Sequence, residues 1–289
     1  MGTDPNVRCA TVPQEGNAVP KEGMITPMRI VTFVKYVPDA AGDRSFEADN
    51  TVDRETDGLL SELDEYAIEE ALALTDKDKG SETIALTVGP ADAKDAVRKA
   101  LQMGADKGVH VNDDAISGAD AAGTAKILAA AVQKVEQDEG PVDLIITGLS
   151  STDGQMSVVP VMVAELLGRP AATQGSSLEV TDSTATIRRD GDTASEYVEV
   201  TLPALVSVTD QINEPRYPSF KGIMKAKKKP VAQYGLSDLG LDASAGGAGA
   251  WTQITQLEQA PGRTAGEIVT DEGDGGQKLV DWLASKKLV

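Results

Sequence analysis

Two hydrophobic rhythms run along this chain. Residues 29–37, RIVTFVKYV, are almost continuously apolar and rich in β-branched and aromatic types, which predicts a strand buried on both faces. Over 62–74 (ELDEYAIEEALAL) Leu63, Ala67, Ala71 and Leu74 recur at helical spacing, behind an S-x-x-D capping pattern that begins at Ser61. A strand at 83–88 ends at Gly89-Pro90 and leads into a helix carrying Val97 and Leu101. A short strand at 108–111 precedes an Ala-rich helix over 119–135. VDLIIT at 142–147 is then a buried strand that runs into the loop GLSSTDGQ and a helix at 161–167. Strand and helix alternating in this way predict an α/β fold, a parallel doubly wound sheet of the nucleotide-binding type with right-handed crossovers.

After Gly168 the rhythm changes to period two. The run LEVTDSTATIRRDGDTASEYVEVTL reads as an added antiparallel β meander, returning to an apolar strand at 204–208. An irregular, proline-rich stretch follows, NEPRYPSFKGIMKAKKKP, and then a Gly/Ala-rich linker at 235–250. Residues 251–289 form a C-terminal arm with a strand-like piece at 251–257 and an amphipathic helix bearing Leu279, Trp282 and Leu283. Such an apolar face needs its own domain or a partner subunit to pack on. The first 27 residues are polar, contain Pro and Gly, lack a signal-peptide apolar region, and read as a disordered extension; Met24 and Met28 offer alternative starts. The α/β domain is thus expected over 28–234.

Composition narrows the chemistry. A net charge of −19 opposes nucleic acid and anionic membranes, and its even spread suggests a halophile's solvated surface, with a mesophilic acidic protein as the alternative. One His and one Cys exclude an intrachain disulfide or a His/Cys zinc cluster. No run of apolar residues is long enough for membrane insertion, so a folded cytoplasmic protein is expected.

In open parallel sheets, ligands bind outside the carboxyl ends of the strands. Three segments meet there: 35–39, 88–90 and 148–157. The last, GLSSTDGQMS, offers small residues, hydroxyls and helix N-terminal amides for a phosphate, with Asp153 placed for a sugar hydroxyl; an ordinary turn capped by Ser151 or Asp153 fits the pattern equally. It is neither a Walker loop nor G-x-G-x-x-G. His110 reads as structural, and Glu69 and Glu70 as solvated helix surface. Cys9 lies in the extension. Trp251 and Trp282 read as packing residues of the tail. The cluster Lys225, Lys227, Lys228 and Lys229 stands out against the acidic background, as a solvated patch or as a site for an acidic partner or anionic group.

These residues resemble the electron transfer flavoprotein beta subunit. The most specific stretch is NEPRYPSFKGIMKAKKK at 213–229, supported by VKYVPD, DEYAIEEAL, VGPADAKDAVRKALQMGADKGVHV, STDGQ and APGRTAG, in order over 28–289. The resemblance implies an electron carrier rather than an enzyme, paired with an alpha subunit that holds most of the FAD. It further implies a crevice ligand in this subunit, AMP or, as in bifurcating relatives, a second FAD. Its contacts would be Phe33, Ser61, Val88, Gly89, Asp153, Gly154, Gln155, Met156 and Ser157. Residues 209–231 would form the loop that docks acyl-CoA dehydrogenases, through Asn213, Glu214, Pro215, Arg216, Tyr217, Phe220, Ile223, Met224 and the four lysines. Electrons would leave to a membrane quinone oxidoreductase. A stand-alone adenine-nucleotide sensor is the rival reading; it leaves the 213–229 segment and the tail unexplained.

Overall fold

In a computed structural model the structure describes residues 7–12, 27–42, 45–48, 50–54, 57–258, 261–262, 266 and 268–289. Its centre is a seven-stranded, all-parallel sheet built from β2 (Arg29–Phe33), β5 (Glu82–Val88), β6 (Lys107–Val111), β7 (Leu144–Gly148), β8 (Ala171–Gly175), β12 (Ala204–Val208) and β13 (Val231–Tyr234). Across the sheet their order is β13-β6-β5-β2-β7-β12-β8. The chain starts near the middle at β2, builds outward through β5 and β6, then crosses back to β7. The β2/β7 boundary is therefore the switch point, the place where the loops after two neighbouring strands diverge and leave a crevice.

Helices cover both faces because these strands are apolar on both sides. On one face α1 (Glu62–Thr75) and α2 (Lys94–Met103) bury Ile68, Leu72, Val97 and Leu101 against Val34 and Ala85. On the other, α3 (Ala121–Glu139) and α4 (Val159–Leu167) pack Ile127, Val132 and Val163 on Val31, Leu86 and Ile145. The meander is present as β9 (Ser177–Val180), β10 (Thr184–Asp190) and β11 (Ser195–Thr201), and Ile187, Val198 and Val200 join α1 in a third core over β7 and β12.

Several local expectations change. The opening apolar run is split into β2 and a short β3 (Tyr36–Pro38), which turns off the sheet to pair with β4 (Gly58–Leu60). Within the extension expected to be disordered, β1 (Val7–Val12) pairs antiparallel with β11 and makes the meander four-stranded. The 235–250 stretch is not an open linker: it forms three short 3-10 turns that bury Leu236 and Ala245 against the α3 face. No strand forms at 251–257; instead the Trp251 and Thr252 amides donate to Asp120, the residue that caps α3. The compact unit carrying the sheet ends at Ile254, and a second unit, Thr255–Val289, contains α6 (Gly275–Ser285), on which Leu279 and Trp282 are exposed. Most of the APGRTAG motif lies outside the described residues, as does the Cys9 side chain. No helix among the described residues is long and apolar enough to cross a membrane.

Candidate functional site

The strand ends expected to hold a ligand lie at and beside the switch point. Phe33 ends β2, Val88 ends β5, and β7 ends at Gly148 and opens into residues 149–158 before α4. Phe33, Val88 and Val159 are each partly buried against the α3-side core, so the crevice has an apolar wall.

Ser61 occupies the N-cap position of α1 but makes no side-chain cap; its Oγ accepts a hydrogen bond from the Thr152 amide at 3.2 Å. Its own amide donates to the Lys35 carbonyl. The S-x-x-D pattern thus braces two crevice loops instead of closing a capping box. Asp64, the acidic member, is buried beneath them and accepts from the Lys35 amide at 2.8 Å. Burial pushes its carboxyl up to about 8, and the nearby Asp153 adds to the rise, while the Lys35 amide and charge oppose it.

Asp153 is engaged within the protein by two cations. Its Oδ1 takes Lys35 Nζ at 2.8 Å, its Oδ2 takes the Arg54 guanidinium at 2.7 Å, and the side chain is only 2% exposed. Burial disfavours the charge, but Lys35, Ser151 and Arg54 outweigh it and hold the carboxyl well below the usual carboxylate range. The sugar-hydroxyl role expected for Asp153 is therefore replaced by an internal one: it fastens the loop to Lys35, between β2 and β3, and to the 50–54 segment. Neither Ser151 nor Asp153 caps α4, whose N-cap position is Val158.

What the loop does present is backbone. Gln155 and Ser157, either side of the exposed Met156, have φ of 49° and 54°. Left-handed conformations at two non-glycine residues this close turn neighbouring amides to one side, the concavity that anions occupy. Among the described residues the Met156 and Ser157 amides have no acceptor in the chain, and the first turn of α4 follows directly. These groups fit a phosphate; the apolar wall at Phe33 and Val88 fits a planar ring. Gly89 accepts from the His110 ring and from Asn112 Nδ2, so His110, buried, serves the β5 loop as a structural histidine.

The second sequence-predicted surface lies on the other side of α1. The stretch between β12 and β13 passes over α1 and α2, forming α5 (Phe220–Ala226) under a Ser219 cap. Tyr217, Phe220, Ile223 and Met224 are exposed, Phe220 at 81%, and Glu214, Lys225, Lys227 and Lys228 are exposed beside them. Arg216 and Lys229 differ. Arg216 forks onto Glu69 through Nε at 2.7 Å and one Nη at 2.9 Å, and reaches Asp76 with the other Nη at 2.9 Å. Pro215 sits half-buried between Arg216 and Glu214, and Asn213 donates to Glu70 and to the Tyr66 carbonyl. Burial holds the Glu70 carboxyl above its usual range, against the Asn213 hydrogen bond. Glu69 and Glu70 are thus not simple solvated surface. Lys229 Nζ donates to the carbonyls of Leu101, Gly104 and Ala105 at 3.1, 2.8 and 2.6 Å, closing the C-terminus of α2; burial lowers its pKa.

A seven-stranded parallel sheet with helices on both faces and an added antiparallel meander defines a doubly wound α/β protein. The family model for the electron transfer flavoprotein domain matches residues 49–239. The electron transfer flavoprotein subunit beta of Mycobacterium leprae is 44% identical over 268 residues, covering 90% of this chain and 99% of the relative. That of Mycobacterium tuberculosis (strain H37Rv) is 42% identical over the same coverage. The caffeyl-CoA reductase-Etf complex subunit CarD of Acetobacterium woodii is 34% identical over 266 residues, 91% of this chain and all of the relative. The chain belongs to the electron transfer flavoprotein family, among its beta subunits. The halophilic source suggested by the acidic surface is not borne out by these relatives.

Proposed function

We propose that this chain pairs with a flavoprotein alpha subunit, helps to enclose that subunit's FAD, and carries electrons in the cytoplasm from acyl-CoA dehydrogenases or related flavoenzymes toward a membrane quinone oxidoreductase. The observation that carries the reading is the exposed Tyr217, Phe220 and Met224 edge, ringed by lysines on a chain of net charge −19. Apolar anchors inside a charged rim are the composition of a docking surface, and the lysines steer an acidic partner toward it. The crevice takes AMP: Met156 and Ser157 would hold the phosphate through their amides, and Phe33 and Val88 would flank the base. FAD supplies the redox chemistry when bound, and this chain's residues supply binding, orientation and docking.

Co-purification from native extract, followed by an absorption spectrum and nucleotide extraction, tests this. A flavin spectrum, a second subunit of similar size and AMP are expected. Two flavins per heterodimer would replace AMP with a second FAD in the crevice. Bound AMP with no partner chain would return the protein to the class of stand-alone nucleotide sensors.

A further inference from the structure

We infer that Arg216 and Lys229 are positioning residues for donor docking: they fix the exposed edge at 217–224 from its two ends without touching the donor. This rests on the docking reading above. The side chains of the edge bury little apolar surface of their own. Of α5 only Ala226 is buried, and a helix of seven residues has too few internal bonds to persist alone. Two prolines, Pro215 and Pro218, bracket Tyr217 and restrict it, yet they do not tie it to the domain.

Three attachments do. At the start, Arg216 engages Glu69 with both its backbone amide and its side-chain fork, and Asp76 takes the remaining arm. A planar fork on a carboxylate fixes direction as well as distance, which a single lysine contact would not. In the middle, Gly222 lies so close to α2 that a Cβ there would come within 2.6 Å of the Gln102 carbonyl. At the end, Lys229 spends all three of its ammonium hydrogens on carbonyls in and just beyond the last turn of α2, so it is not available for steering as Lys225, Lys227 and Lys228 are. Phe220 is thus presented on a strap clamped to α1 and α2, and holding it there in advance lowers the ordering cost of docking.

The heterodimer with its flavin is assayed for reduction by an acyl-CoA dehydrogenase charged with its own substrate, with dehydrogenase concentration varied. Arg216→Ala and Lys229→Met should each raise KM for the dehydrogenase by about tenfold with kcat at saturation nearly unchanged, because pre-organisation acts on association. Arg216→Lys, which keeps the charge and loses the fork, should recover only part of the affinity. Limited trypsin digestion supplies a readout independent of docking: cleavage at Lys221 and Lys225 should accelerate by about fivefold or more in Arg216→Ala and not in Phe220→Ala. If Phe220→Ala raises KM while Arg216→Ala and Lys229→Met leave both KM and digestion unchanged, the docking reading stands and the positioning inference is overturned. If Phe220→Ala leaves KM unchanged, the docking reading fails and the inference with it. Dissociation of the heterodimer or loss of flavin in Arg216→Ala would also overturn it, by showing a global role.

Discussion

Gly148 and Asp64 lie in direct apposition: a Cβ added to Gly148 would come within 2.9 Å of Asp64 Oδ1 and 2.6 Å of the Leu63 carbonyl. Strand β7 ends against the first turn of α1, and only a hydrogen fits between them. Gly148→Ala should push these elements apart at a cost of about 1–3 kcal/mol. Thermal unfolding would show the loss, and an unchanged midpoint would mean that the crevice loops give way easily.

Asp64 makes stability depend on pH in an unusual direction. In the unfolded chain an aspartate ionises at about 4, whereas in the fold burial holds this one to about 8. Between those values the unfolded state has released a proton that the native state keeps. Its contribution is therefore full at acidic pH and is lost as pH rises toward 8. Asp64→Asn retains the acceptor for the Lys35 amide and removes the titration. In urea denaturation the variant should hold level across this range and exceed the parent at alkaline pH, by on the order of a few kcal/mol. Parallel pH profiles for the two proteins would contradict this.

Asp153 behaves oppositely, since its carboxyl is held low in the fold. Its stabilisation is present above the unfolded value and disappears as pH falls through the folded one. Lys35→Met leaves this buried carboxylate with Arg54 as its remaining cation and should cost about 1–3 kcal/mol at neutral pH. It should also move acid unfolding to higher pH. An acid transition at the parent's position would show that Lys35 contributes little to the charge balance.

Deleting residues 1–26 removes β1 and leaves β11 as the meander's edge. Amides of β11 that face β1 should exchange with solvent about tenfold faster or more, while β2, β5 and β7 keep their protection. Unaltered exchange along β11 would mean that β1 does not protect it.

The alternation of buried strands and amphipathic helices was legible in the sequence because it reflects burial, which each segment records in its own spacing. The placing of the strand ends followed from that, with Gly148 closing β7. Ion partners were not legible. Arg216 and Glu69 are 147 positions apart, and on a helix face full of acids nothing local separates Glu69 from a solvated neighbour. Lys229 reads like the adjoining lysines until the end of α2 is placed beneath it. One signal was available: Gly222 inside a short helical run marks close approach of another backbone. At 235–250, small residues suggested flexibility, but Leu236 and Ala245 are apolar and are buried.

Strand order gives the 209–230 stretch a further meaning. Its flanking strands, β12 and β13, stand sixth and first in the sheet, five spacings or about 24 Å apart. Both strands are parallel to the rest, so the chain must cross this width and also return to the sheet's opposite end before β13 can begin. The 209–230 stretch is therefore the sheet's overpass, with its length set by the span beneath it. Shortening it would pull β13 off β6 and bare that edge, so the residues proposed for docking also close the fold.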